Sequence, residues 1–153
     1  MEKRMRRQSV WLLIASVLGG QFMTLPANTA SNSRFTVDIS GLRNQNGRLC
    51  LSLFSSEQGF PSQSERAIAS RCIQAKEASA TFNQLPPGRY AVAVIHDSNN
   101  DGKLNTGFLG IPKEGFGFSR NPRIGTRVPS FRDTAFLVSR ESIKIQIALR
   151  YLL

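Results

Sequence analysis

The chain has 153 residues, of which 20 are Lys or Arg and 10 are Asp or Glu, so its formal net charge is +10. This length suits one domain built around one core. Two cysteines and one histidine are too few for a structural zinc site, which takes four Cys or His ligands.

Residues 1–30 are predicted to be a signal peptide. The segment begins with four basic residues, Lys3, Arg4, Arg6 and Arg7. An apolar run of signal-peptide length follows at residues 10–20, and it is shorter than the roughly 20 apolar residues that span a bilayer. Cleavage is expected after Ala27 or Ala30. The single domain is placed at residues 31–153, in the periplasm or outside the cell. The alternative is an uncleaved N-terminal membrane anchor.

Without the signal peptide the chain keeps 16 basic residues (20 less 4) and 9 acidic residues (10 less 1), a net charge of +7. A basic surface attracts anionic glycans or lipid headgroups, and nucleic acid is not an expected partner after export. The basic residues are densest at Arg120, Arg123, Arg127 and Arg132. These arginines are either a soluble basic surface or a dedicated anion site.

Cys50 and Cys72 are an even pair, which in an oxidising compartment predicts one disulfide. The bridge would close a loop of about 22 residues and contribute on the order of 3 kcal/mol in the chain-entropy model. The alternative is two buried free thiols.

Seven short segments are predicted to be β-strands, at residues 35–39, 49–53, 71–75, 78–82, 90–95, 134–138 and 141–151. Leu49, Leu51 and Leu53 alternate with other residues, so one face of their strand is expected to point inward. Residues 90–95 are apolar at every position, which predicts a central strand buried on both faces. No long stretch has helical periodicity, and Gly/Pro turns separate the strands. The pattern therefore predicts an all-β, seven-stranded antiparallel β-sandwich with one long ordered loop.

The loop that follows the central strand is a candidate for a weak calcium site. Side-chain oxygens recur at alternate residues in Asp97, Asn99 and Asp101, as in the first half of an EF-hand loop, and Gly102 permits the sharp turn. The Lys103 carbonyl and the Asn105 side chain are expected to complete the set. The two loop carboxylates predict weak affinity, because Phe108 stands where a bidentate acid is expected; Glu114 is a candidate to fold back as a further ligand. The alternative is a metal-free turn in which these side chains accept hydrogen bonds from their own backbone.

The sequence contains few candidate catalytic residues. A Ser/His/acid triad would have to use His96, the single histidine, and no G-x-S-x-G motif is present. Otherwise His96 is expected either to be exposed at the strand end or to support Asp97. A glycosidase pair would have to come from acids such as Asp97, Asp101, Glu114 and Asp133. We therefore expect no enzyme and no catalytic residues, and we keep a hydrolase of envelope polymers as the alternative.

Residues 106–129 lack clear secondary structure but carry large apolar side chains, which argues against disorder. We expect Lys113, Phe116, Phe118 and Arg120 to contact a glycan or protein partner of the cell envelope. The competing hypothesis is that Phe108 and Phe116 anchor the loop onto the sandwich. A small-ligand carrier is a third function, and it would need a sizeable apolar pocket.

Residues 85–119, LPPGRYAVAVIHDSNNDGKLNTGFLGIPKEGFGFS, resemble the core motif of a secreted bacterial family known as domain of unknown function 2141. The segments LRNQNGRLCLSLF, EQGFP, PSFRDTAF and IKIQIALRY are similar to its remaining parts. The resemblance implies an exported single-domain β protein of no established activity. More distantly, LPPGRYAV followed by DSNNDG resembles prealbumin-like and Cna-B-like modules, which implies a prealbumin-like or immunoglobulin-like sandwich. The two cysteines are not part of the family pattern.

Overall fold

A computed structural model describes residues 34–125, 127–139 and 141–153. The predicted signal peptide lies outside these residues. The described chain forms eight strands: β1 (Arg34–Ser40), β2 (Arg48–Phe54), β3 (Ala69–Gln74), β4 (Ser79–Asn83), β5 (Gly88–Asp97), β6 (Gly115–Phe118), β7 (Phe136–Val138) and β8 (Ile143–Ala148). Its helical structure consists of α1 (Phe131–Thr134) and the 3-10 turns Ser64–Arg66, Ala75–Glu77 and Phe108–Gly110. No helix in this part of the chain is long and apolar enough to cross a bilayer.

The strands form two sheets, so the predicted all-β sandwich is confirmed. One sheet has the order β4-β1-β8, and the other has the order β3-β2-β5-β6 with β7 paired to the start of β5. All strand pairs are antiparallel except β1 with β8, which are parallel. The eighth strand, β6, lies in the segment predicted to be loop, because its four residues alternate glycine with phenylalanine.

β5 is the central strand of the larger sheet and is covered on both faces, as its sequence predicts. Tyr90, Val92 and Val94 contribute to the main core between the sheets. On the opposite face, Ala93 packs in a second cluster with Phe54, Phe116 and Phe118. The ring of Phe60 meets those of Phe54, Phe118 and Phe131 at centroid distances of 5.3, 6.1 and 6.0 Å. The end of β5 at Asp97 is therefore a rigid base for the loop that follows.

The predicted disulfide is confirmed. Cys50 and Cys72 are directly opposite each other on β2 and β3, and their sulfur atoms are bonded. The alternating pattern of β2 is confirmed as well, because Leu49, Leu51 and Leu53 are buried while Cys50 is on the other face. The bridge is compatible with an oxidising compartment outside the cytoplasm.

Candidate functional site

The loop between β5 and β6 begins at a buried carboxylate. Asp97 is 0% exposed, and its Oδ2 lies 3.1 Å from Nη2 of Arg48 on the neighbouring strand. The same carboxylate accepts hydrogen bonds from the backbone N–H of Asp101 (3.0 Å) and of Gly102 (2.9 Å). Arg48 also donates to the carbonyl of Asn100 at 3.2 Å. One ion pair thus fixes the first turn of the loop to the sheet.

Asn99, Asp101 and Asn105 form a compact polar ring at the surface. The Asn99 side-chain amide donates to Asp101 Oδ2 and Asn105 Oδ1, both at 3.1 Å, and Asn105 donates to Asp101 Oδ2 at 2.8 Å. The Asn105 amide, the Lys103 backbone N–H and the Asn99 amide, in that order, hold the pKa of the Asp101 carboxyl below its usual range. Stability from Asp101 is therefore present above about pH 3.9 and lost as the pH falls through its lower folded pKa.

The loop is closed by Glu114, which folds back onto backbone N–H groups; its predicted role as a further metal ligand stays a prediction. Its two carboxylate oxygens accept from the backbone N–H of Ser98 and of Asn105, each at 2.9 Å. Beside it, the Lys113 N–H donates to the Asn105 carbonyl at 2.9 Å. The loop is thus ordered by its own hydrogen bonds, and two buried acids, Asp97 and Glu114, stand at its base.

The tip of this loop exposes two large apolar side chains. Phe108 is 87% exposed and Leu109 is 81% exposed, and Leu109 has a positive φ of 58°. The hypothesis that Phe108 anchors the loop is therefore wrong, whereas Phe116 is buried in the second cluster and does anchor it. The two side chains project into solvent because the hydrogen bond from Gly107 N–H to the Ile111 carbonyl closes a tight turn that contains them.

The predicted partner contacts fall in three environments. Lys113 is exposed beside the loop tip. Phe118 is only 7% exposed, because its ring packs in the second cluster with Phe54 and Phe116, so it is not presented to solvent. Arg120 is exposed at the far end of β6, away from the tip, and its guanidinium donates to the Ala135 carbonyl at 3.2 Å.

His96 is buried in a hydrogen-bond chain rather than exposed at the strand end. Its Nε2 lies 2.8 Å from the Asn46 carbonyl, which can only accept, so Nε2 donates. In the neutral ring, Nδ1 then accepts from the Tyr151 hydroxyl at 2.6 Å. That hydroxyl accepts from the Arg43 backbone N–H at 3.1 Å. Both ring nitrogens are occupied, which leaves neither free to act as a base.

The loop side chains that could hold a calcium ion are already engaged in hydrogen bonds. No group of three or more His, Cys, Asp or Glu side chains is arranged to hold a metal in the described ranges. The hydrogen bonds of Asp97, Asn99 and Asp101 to backbone N–H groups are those of the metal-free turn. Even so, the nitrogen of the Asn99 side-chain amide faces both Asp101 Oδ2 and Asn105 Oδ1. Rotating that amide by 180° would replace the nitrogen with the Asn99 oxygen, so three side-chain oxygens would face one point. This all-oxygen set fits a hard cation such as calcium.

Sequence reasoning missed two residues of the site, Arg48 and Tyr151. Arg48 is far from Asp97 in the sequence and meets it only because β2 and β5 pair in that register. Tyr151 lies beyond the last strand and reaches His96 because Gly115 leaves room for its ring. No local signal marks either contact, although a correct register for β2 and β5 would have placed Arg48 opposite Asp97.

A family model described as "Uncharacterized protein conserved in bacteria (DUF2141)" matches residues 37–146. The match includes both cysteines and the whole loop from Asp97 to Phe118. No curated protein and no solved structure matches the chain, and the more distant relation to prealbumin-like modules is not shown. Because the family model covers well over half of the sequence, the chain belongs to the DUF2141 family.

Proposed function

We propose that this chain is an exported binding module of the cell envelope, which uses the tip of the 97–118 loop to contact a protein partner. The observation that carries the proposal is the exposure of Phe108 and Leu109 on a loop whose base is held by two buried carboxylates. Burying two such side chains in a partner contributes about 1.5–3 kcal/mol each. A loop that is already ordered also loses little conformational entropy on binding.

A protein partner is favoured over a glycan by the pairing of these two side chains. Glycans stack on aromatic rings, whereas Leu109 next to Phe108 is suited to an apolar pocket. Lys113 is exposed beside the tip and supplies a basic rim. Export is supported by the basic and apolar N-terminal segment and by the Cys50–Cys72 disulfide.

Two alternative functions have less support. A hydrolase triad would need His96, whose ring is buried with both nitrogens engaged. A carrier of small apolar ligands would need an apolar pocket, whereas the sizeable cleft that the described residues form is lined mainly by arginines and prolines.

We expect a photo-crosslinking residue placed at Phe108 to give a discrete adduct with one envelope protein in living cells. The matched control is the same residue at Leu137, which is 71% exposed on β7 and lies away from the loop. An adduct from position 108 that is absent from position 137 supports the proposal. A glycan adduct, the same adduct from both positions, or none from position 108 would contradict it.

The Phe108→Ser/Leu109→Ser variant separates binding from folding. Both side chains are exposed, so the free energy of unfolding should change by less than about 0.5 kcal/mol. Because position 108 is substituted in this variant, the crosslinking residue is placed at position 113 instead. The adduct that it forms in the parent protein should be absent from the variant. A loss of more than about 2 kcal/mol on chemical denaturation, which surface substitutions do not cause, would instead mean that the tip serves folding.

We also propose weak calcium binding by the surface oxygens of Asn99, Asp101 and Asn105, whereas Asp97 is buried and already paired with Arg48. With few carboxylates, Kd is expected at about 10⁻⁴ to 10⁻³ M. At 10 mM calcium this range corresponds to about 1.4–2.7 kcal/mol of added stability, seen as a higher melting temperature. The Asp101→Ala variant should abolish the response. A melting temperature of the parent protein that does not change at 10 mM calcium would eliminate the metal and leave the metal-free turn.

A further inference from the structure

We propose that residues 120–125 and 127–133, which lie between β6 and β7, form a second site, which binds a ligand carrying two or more phosphate groups. The site is an open cleft of about 830 Å³. Its charged lining consists of four arginines and one aspartate, Arg120, Arg123, Arg127, Arg132 and Asp133. Four positive charges and one negative charge give this cleft a net charge of +3.

Hydrogen bonds hold the two walls of the cleft in place. On one side, the Asn121 side chain donates to the Gln146 carbonyl (2.9 Å) and accepts from the Ala148 N–H (2.8 Å). Between the walls, the buried Ser119 hydroxyl donates to the Thr134 carbonyl at 2.7 Å. The far wall begins at Ser130, whose hydroxyl and backbone form a capping box with Asp133. These bonds fix the two ends of the segment, at residues 119–121 and 130–134.

The positive charge of the cleft is only partly offset within the described chain, by Asp133. Asp133 Oδ2 accepts from the Ser130 N–H (2.9 Å) and hydroxyl (2.7 Å). Those bonds hold the pKa of the Asp133 carboxyl below its usual range, with smaller contributions from Arg127 and Arg120. The ion pairs formed by the described residues are Arg48–Asp97 and Lys144–Asp38, neither of which involves a cleft arginine. Four guanidinium groups thus line one opening, and none of them forms an ion pair with a described carboxylate.

The chemistry of the lining selects the ligand class. The planar guanidinium group donates two parallel hydrogen bonds to phosphate or carboxylate. A phosphate group has three strong acceptor oxygens against two in a carboxylate, so it can accept from more than one arginine. The volume of the cleft is within the range of small-molecule sites, so a single phosphate ion would fill only part of it. A ligand with at least two phosphate groups would use several arginines at once. Such groups occur on soluble phosphorylated sugars and on lipid headgroups.

This site is separate from the loop tip. β6 runs antiparallel to β5, with Gly115 opposite His96 and Phe118 opposite Ala93. The chain after Phe118 therefore lies toward the start of β5, whereas Phe108 lies beyond its end. Substitutions in the arginine-lined cleft should leave partner binding at the loop tip intact, and the reverse. The two proposals are therefore tested independently.

The test is calorimetric titration of the purified protein with inorganic tripolyphosphate at low salt. We expect saturable binding, weakened at least about tenfold in Arg123→Ala/Arg127→Ala, because two charge-assisted contacts are lost. The matched control is Lys76→Ala/Lys103→Ala, which removes the same charge from exposed positions at the opposite end of the sandwich. It should weaken binding less than about twofold. Equal weakening in the two double variants, or no saturable binding, would overturn the proposal.

Citrate tests the phosphate assignment, because it carries similar charge on carboxylates. We expect citrate to bind at least about fivefold more weakly than tripolyphosphate, because a carboxylate has fewer acceptor oxygens than a phosphate, and equal affinity would overturn the assignment. Vesicle binding distinguishes a lipid ligand from a soluble one. The vesicles are phosphatidylcholine with and without cardiolipin, whose headgroup carries two phosphates. Binding to cardiolipin vesicles through Arg123 and Arg127 supports a lipid source. Binding of tripolyphosphate alone supports a soluble ligand.

Discussion

Replacing Asp97 with alanine is expected to lower the free energy of unfolding by about 2–4 kcal/mol, somewhat less than for a fully buried ion pair, because the Arg48 side chain is 35% exposed and water can reach it. The Asp97 carboxylate is 0% exposed and accepts from Arg48, the Asp101 N–H and the Gly102 N–H. The variant leaves a guanidinium without its carboxylate and two backbone N–H groups without an acceptor. Equilibrium denaturation in urea measures the loss.

Asp101→Ala is the matched control for this prediction. Asp101 lies further along the same loop and has the same side chain, but it is exposed. Its replacement should cost only a small fraction of the Asp97→Ala loss, since water replaces the missing acceptor. Equal losses in the two variants, or a loss below about 1 kcal/mol for Asp97→Ala, would show that the ion pair does not fix the loop.

The sandwich was predictable where each strand carries its own pattern. β2 alternates leucine with smaller or polar residues and faces one core, so Leu49, Leu51 and Leu53 identify it without knowledge of its partners. β5 is apolar at successive positions because both of its faces are covered, and its length and flanking turns mark it as a strand. Such signals are local, since the side-chain period of a strand is two.

β6 was missed because its pattern depends on its neighbour. Phe116 and Phe118 fill the second cluster, while the other face of the strand is glycine. A Cβ at Gly115 would lie 2.5 Å from the Tyr151 ring, and one at Gly117 would lie 2.8 Å from Ile147. The glycines thus permit close packing of the chain around β8, and a strand with no side chains on one face resembles a loop in sequence.

The error at Phe118 has the same origin. An aromatic residue in a polar, glycine-rich segment predicts an exposed contact, and only the pairing of β6 with β5 turns its ring into the core. Conversely, Phe108 was expected to anchor the loop, but Gly107 and Gly110 bracket it in a tight turn that projects from the sheet. Which aromatic is exposed depends on tertiary pairing, so local composition cannot decide it.

Replacing His96 with alanine is expected to lower the free energy of unfolding by about 2–5 kcal/mol. The His96 ring is fully buried, and its nitrogens contact the Asn46 carbonyl and the Tyr151 hydroxyl. The substitution leaves both groups without this partner and opens a cavity. Urea denaturation measures the loss of stability, and hydrogen exchange should show faster opening of the C-terminal residues 149–153.

Two further variants isolate the role of the histidine. Tyr151→Phe keeps the ring but removes the hydroxyl, so it should lose about 1–2 kcal/mol and show strong coupling to His96→Ala in a double-mutant cycle. Arg43→Ala removes only an exposed side chain whose guanidinium lies 4.3 Å from the Tyr151 ring centroid, and it should cost about 0.5–1 kcal/mol. Additive effects of the His96 and Tyr151 changes would mean that the hydrogen bond does not join the end of β5 to the C-terminal segment. Strong coupling would instead identify the single histidine as a structural connection between the loop base and the chain end.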